Sequence, residues 1–124
     1  MPAPPSKPVL LIEDDLLTAE VLTLALELEG FQVCHALEGQ QALELLRSRE
    51  APGVIFMDLG MAGMDGVQFH RIQREDPLLS HIHVVVMSGD SNMESRIPPH
   101  ANVSYLQKPV SLDQLIELAG RYCA

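Results

Sequence analysis

The chain has 124 residues, 47% of them hydrophobic, and a formal charge of −9, which leaves room for one buried core but not for two ordinary domains. The acidic balance argues against unaided binding to nucleic acid or anionic lipid, whose phosphates reward the opposite sign, so proteins and cations are the expected partners. No stretch approaches the roughly 18 consecutive apolar residues of a membrane span, and the start has no apolar signal core, so the expected compartment is the cytoplasm. Cys34 and Cys123 are too few for a disulfide framework or a zinc site and read as ordinary thiols.

Residues 1–8 hold four prolines and read as a flexible leader, with the domain over 9–124. Residues 9–12 are an apolar run ending abruptly in Glu13-Asp14-Asp15, the pattern of a strand buried on both faces whose end opens into a site. A helix is predicted over 16–29, with Asp15 as N-cap and Gly30 just past its end. The alternation then repeats. Residues 31–36 form a weak strand and 40–49 a helix; 54–57 form a strand ending at Asp58, and 67–74 a short helix. Residues 83–87 form a strand ending at Ser88, 103–107 a weaker one ending at Lys108-Pro109, and 111–122 a closing helix.

Five strand–helix units at this spacing imply a parallel sheet covered on both faces, with right-handed crossovers. Ligands of such sheets bind beyond the carboxyl ends of the strands. Glu13, Asp14, Asp58, Ser88 and Lys108 each follow an apolar strand segment, so one sheet edge gathers three carboxylates, a hydroxyl and an ammonium. Crowded carboxylates are relieved by protonation or by a hard divalent cation, and Mg²⁺ suits such oxygen ligands. An aspartate can accept a phosphoryl group when a metal, a cation and a hydrogen-bond donor share the charge that develops on the phosphoryl oxygens. Lys108 and Ser88 are suited to the last two roles.

In this order and placement the residues closely resemble the receiver domain of two-component response regulators, chemotaxis regulators among them, over residues 9–123. The resemblance implies a flavodoxin-like five-stranded sheet of order 2-1-3-4-5. It implies a regulatory switch rather than an enzyme, with Asp58 as phosphoacceptor and Mg²⁺ held by Glu13, Asp14, Asp58 and the Gly60 carbonyl. Asp14 would bind the metal directly and Glu13 through water. Ser88, Gly89 and Lys108 would face the phosphoryl oxygens, and Ser88 and Tyr105 would form the conformational switch. The loop after Asp58 departs from the family pattern at Ala62, where a proline is usual; Gly63 and Gly66 still supply turn chemistry. The implied partner is a histidine kinase or a histidine phosphotransfer protein, and a second copy of the chain is a further one.

Other readings fit less well. A Mg²⁺ phosphatase of the haloacid dehalogenase type needs a second Asp where Gly60 stands. A nucleotide or flavin site would want a glycine-rich loop after residues 9–12, where this chain has carboxylates. A receiver-like module that signals without phosphorylation remains as the alternative, against which the intact constellation argues. His35, His70, His81, His83 and His100 carry no motif.

Two segments have their own expectations. In the first helix Leu17, Val21, Leu24 and Leu28 form one stripe while Leu22 and Leu26 point roughly the other way, so one set should be partly exposed and available to a partner. Between Ser88 and Tyr105, Ser91-Asn92-Met93-Glu94 reads as a capping box, but Pro98 and Pro99 follow within two turns. Only Met93, Ile97 and Ala101 are available to anchor a helix there, so the fourth helix should be short or irregular.

Overall fold

Strands buried on both faces need apolar residues along their length, and the central three have them, with polar residues only at strand ends: Asp58 in one, His83 and Ser88 in another. β1 (Val9–Ile12) and β4 (His83–Ser88) are buried throughout, as is β3 (Val54–Asp58), in a computed structural model that describes residues 7–60 and 65–123. Alternate side chains go to opposite faces. Leu10, Ile12, Ile55, Met57, Val84 and Val86 form one core, and Val9, Leu11, Val54, Phe56, Val85 and Met87 the other. The flanking strands β2 (Val33–Ala36) and β5 (Val103–Gln107) are only half covered, which explains their weaker apolar pattern. All pairings are parallel and the order is β2-β1-β3-β4-β5, the flavodoxin-like arrangement expected from the resemblance.

α1 (Leu16–Leu28) and α5 (Leu112–Cys123) cover the second core; α2 (Gly39–Ser48), α3 (Gly66–Glu75) and α4 (Met93–Arg96) cover the first. Asp15 stands at the N-cap position of α1 without a side-chain cap bond; its carboxylate accepts the Thr18 hydroxyl and titrates lower chiefly for that reason, and Gly30 turns the chain with φ +92°. On α1 it is Leu22 and Leu26 that are buried, while Leu17, Val21, Leu24 and Leu28 are all at least half exposed. Burial of both Leu22 and Leu26 removes these two as a partner surface; the exposed stripe is Leu17, Val21, Leu24 and Leu28, because α1 presents its Ala19–Leu22–Leu26 face to the sheet.

α4 is a single turn, as its prolines dictate, but its capping box does not form. The N-cap is Asn92 without a side-chain cap bond, since the hydroxyl of Ser91 stands one residue too early. Met93 and Ile97 are buried beneath it, whereas Ala101 is exposed and anchors nothing. A capping box does form one helix earlier, where Asp65 accepts the Gln68 amide at 2.9 Å and the Gln68 side chain returns to the Asp65 amide. Lys7 and Pro8, read as the end of the leader, are hydrogen-bonded to Cys123 and Gly53. Residues 1–6, residues 61–64, Ala62 and Gly63 among them, and Ala124 lie outside the described residues.

Buried imidazoles make the fold acid-sensitive. His83 stacks on Tyr122 with ring centroids 3.9 Å apart and bonds Ser104, and burial, with Arg121 nearby, lowers its pKa. Burial, reinforced by Arg74 and His100, lowers His70 to about 4. Protons therefore bind the unfolded chain first, so stability fully present above pH 6.5 drains away as the pH falls towards 4. At about 1.4 kcal/mol per pH unit, His70 accounts for about 3 kcal/mol of that loss. Urea unfolding at pH 7 and pH 4.5 should show the slope flattened in His70→Gln.

Candidate functional site

Four chain segments deliver the site, because the parallel strands β1, β3, β4 and β5 end on the same edge. The end of β1 places Glu13, fully buried, beside Asp58 at the end of β3. One oxygen from each of Glu13, Asp14 and Asp58 lies within 4.8 Å of the others, with Asp14 at the exposed rim. Lys108, from the far side of β4, reaches across the crevice. Its Nζ donates to Glu13 Oε1 at 3.1 Å and pairs with Asp58 Oδ2 at 3.4 Å. The reach is possible because the Lys108 amide donates to the Ser88 carbonyl at 2.8 Å, extending the β4–β5 pairing to the residue that carries the ammonium.

The electrostatics follow from this crowding. Burial raises the pKa of Glu13, and its hydrogen bond and charge repulsion with Asp58 raise it further; the Asp15 amide and Lys108 only partly offset them. Burial by itself would lower Lys108, but the Glu13 and Asp58 carboxylates outweigh it and its pKa is raised. An ammonium thus already serves as one counter-charge for a carboxylate cluster that suits a hard cation. The donor set is all oxygen, one buried acid, one nearly buried and one at the rim, which fits Mg²⁺ with part of its water shell retained.

The remaining predicted residues are in place to varying degrees. The Gly60 amide donates to Asp58 Oδ1 at 3.2 Å, so Gly60 meets the aspartate through its N–H. Ser88 is nearly buried at the end of β4, its hydroxyl accepting the Asp90 amide at 3.0 Å, and a Cβ added at Gly89 would meet open space. Tyr105 is half-buried, and its hydroxyl donates to the Ile97 carbonyl at 2.6 Å, tying β5 to the end of α4. Burial, and then Glu94, raises its pKa.

His35 escaped the sequence reading, and Gly66 entered it only as a source of turn chemistry. His35 has no motif, yet its Nε2 lies 2.7 Å from the Glu13 carbonyl and holds the turn that presents the acidic pair. A histidine in an otherwise apolar strand was the available signal. Gly66 opens α3 against the end of β3, where an added Cβ would sit 3.0 Å from the Asp58 carbonyl oxygen. Without a Cβ here, α3 starts close to Asp58 and neither Leu59 nor the end of β3 has to give way.

A family model described as the response regulator receiver domain matches residues 9–119. The polar-differentiation response regulator DivK of Brucella ovis is 29% identical over 122 residues, 94% of this chain and 96% of its own. A response regulator receiver protein from Pseudomonas putida superposes with a TM-score of 0.84 at 28% identity, covering 98% and 99% of the two chains. The phosphorylated cyanobacterial phytochrome response regulator RcpA superposes with a TM-score of 0.76 at 26% identity, covering 91% and 88%. Fold, strand order and an acidic crevice at the strand ends agree with these matches, and the chain belongs to the response regulator receiver domain family.

Proposed function

We propose that the chain is a phosphoacceptor switch in which Asp58 takes a phosphoryl group from a phosphohistidine partner with Mg²⁺ in the acidic crevice. The observation that carries this reading is the convergence of Glu13, Asp14, Asp58 and Lys108 from three separate strand ends. An Asp58 carboxylate oxygen would attack phosphorus as the imidazole N–P bond breaks, leaving an acyl phosphate on the chain and a free imidazole on the donor. Lys108 would move from the carboxylates to a phosphoryl oxygen, and the Ser88 hydroxyl and Gly89 amide would meet the others. Glu13, Asp14, Asp58 and the Gly60 carbonyl would hold Mg²⁺, which when bound neutralises charge on the transferring group. The phosphorylated relative RcpA supports the same chemistry in this fold.

A donor helix would find its seat beside the crevice. Leu17, Val21, Pro109, Val110 and Leu112 line a cleft of about 480 Å³ that Lys108 closes at the site end. Transfer from a phosphohistidine donor should yield a hydroxylamine-labile label on this chain; label absent or stable to hydroxylamine would defeat the proposal. Leu17→Glu with Val21→Glu should slow transfer from the protein donor about tenfold while leaving labelling by a small phosphodonor unchanged. Equal slowing with both donors would remove the docking role.

The consequence of phosphorylation would pass from Ser88 to Tyr105 through a loose segment. One helical turn between Ser88 and Pro98 has little packing to protect its amides. Residues 90 to 102 should exchange hydrogen rapidly in the free form and slowly with beryllofluoride and Mg²⁺. Strong protection in both states would count against this coupling.

A further inference from the structure

The site uses one of the chain's eight Lys and Arg side chains, and three others converge elsewhere. On α3, Val67, His70, Arg71 and Arg74 recur at helical spacing and form one wall of a cleft of about 480 Å³. Arg96 and Ile97, at the end of α4, form the other. All three guanidinium side chains are exposed, and among the described residues none is within 4.0 Å of a carboxylate. Glu75 also lines the cleft without pairing to any of them. In a chain of charge −9, three neighbouring arginines without carboxylate partners form a local positive field opposite in sign to the rest of the surface.

We propose that this α3–α4 cleft binds a small phosphate ester of mononucleotide size, with Arg71, Arg74 and Arg96 on the phosphate. Guanidinium forks match phosphate oxygens in pairs, which favours a phosphate over a lone carboxylate. The volume falls within the range of small-molecule sites, and Val67, Ile97 and Pro98 give an apolar surface for the body of the ligand. His70 supplies an internal sensor of the occupant. Besides burial, the charges of Arg74 and His100 hold it neutral, and an anion between the arginines would reverse that influence. The cleft also abuts the Tyr105 contact, since Ile97 both lines it and accepts the Tyr105 hydroxyl.

Titration of the ¹⁵N-labelled chain without Mg²⁺, which keeps the acidic crevice out of the measurement, tests the proposal with AMP, adenosine and an oligo-glutamate peptide. AMP should give saturable amide shifts over residues 67–75 and at Arg96 and Ile97 and raise the pKa of His70; adenosine should give neither. Arg71→Gln with Arg74→Gln should weaken AMP binding at least about tenfold, with the rest of the spectrum unchanged to show that the fold is intact. No saturable shift with AMP, or equal shifts with adenosine, would overturn the proposal. Oligo-glutamate binding as tightly as AMP would also overturn it, and would mark the cleft as a seat for an acidic protein segment.

Discussion

Incubated with a small phosphodonor and Mg²⁺, the wild-type chain is expected to gain one phosphoryl group, and Asp58→Asn is expected to lose labelling by about a hundredfold or more. An amide keeps the shape of the side chain but offers no carboxylate to attack phosphorus. Among the described residues Glu13 and Asp14 are the other carboxylates gathered at the same point, and Glu13 is a poor substitute. Glu13 is fully buried, its pKa raised by burial and by Asp58, and its oxygens are taken up by Lys108 and the Asp15 amide. Loss of labelling should not reflect unfolding. Removing the Asp58 charge relieves repulsion on Glu13, so the thermal midpoint of the variant should equal or exceed that of the wild type. Intact-mass spectrometry with peptide mapping is the measurement; equal labelling of the variant, or a phosphoryl group on another residue of the wild type, would refute the assignment.

Lys108→Ala is expected to separate metal binding from the use of the phosphoryl group. The ammonium lies 3.1 Å from Glu13 and 3.4 Å from Asp58, so without Mg²⁺ its removal leaves a buried carboxylate without its cation. Full loss of a buried pair costs about 3–5 kcal/mol, but the Lys108 side chain is 30% exposed, so solvent screens part of the pair, and the raised pKa of Glu13 lets it take up a proton more readily once the ammonium is gone. About 1–2 kcal/mol is therefore expected. Mg²⁺ should bind the variant at least as tightly as the wild type, because a competing positive charge has gone, and should raise its thermal midpoint by more. The phosphorylated variant should fail to slow hydrogen exchange over residues 90–102, since no ammonium remains to hold the phosphoryl oxygen. Calorimetric Mg²⁺ titration beside hydrogen exchange checks both halves, and loss of metal affinity alone would contradict the role given to Lys108.

The order of elements and the edge of the sheet that carries the site were legible before any coordinates. Apolar runs such as residues 9–12 and 54–57 can be satisfied only by burial on both faces, and the polar residue that ends each run has nowhere to go but the strand end. Pro98 and Pro99 likewise dictated a single-turn α4, because a proline ring blocks helical angles in the residue before it whatever the tertiary context. What local pattern could not decide were choices between equivalent alternatives. Either stripe of α1 could have met the sheet; Leu22 and Leu26 did, packing with Ala19 into the core that α5 also covers. His35 looked idle until parallel pairing placed β2 beside β1, with Leu11 opposite it and the Glu13 carbonyl within reach. The arginine cleft joins residues 71 and 74 to residue 96, a meeting that depends on how α3 and α4 settle on the same face. Burial and backbone chemistry act residue by residue and are written in the chain. Contacts between distant segments depend on how helices pack over a twisted sheet, and only the tertiary structure decided them.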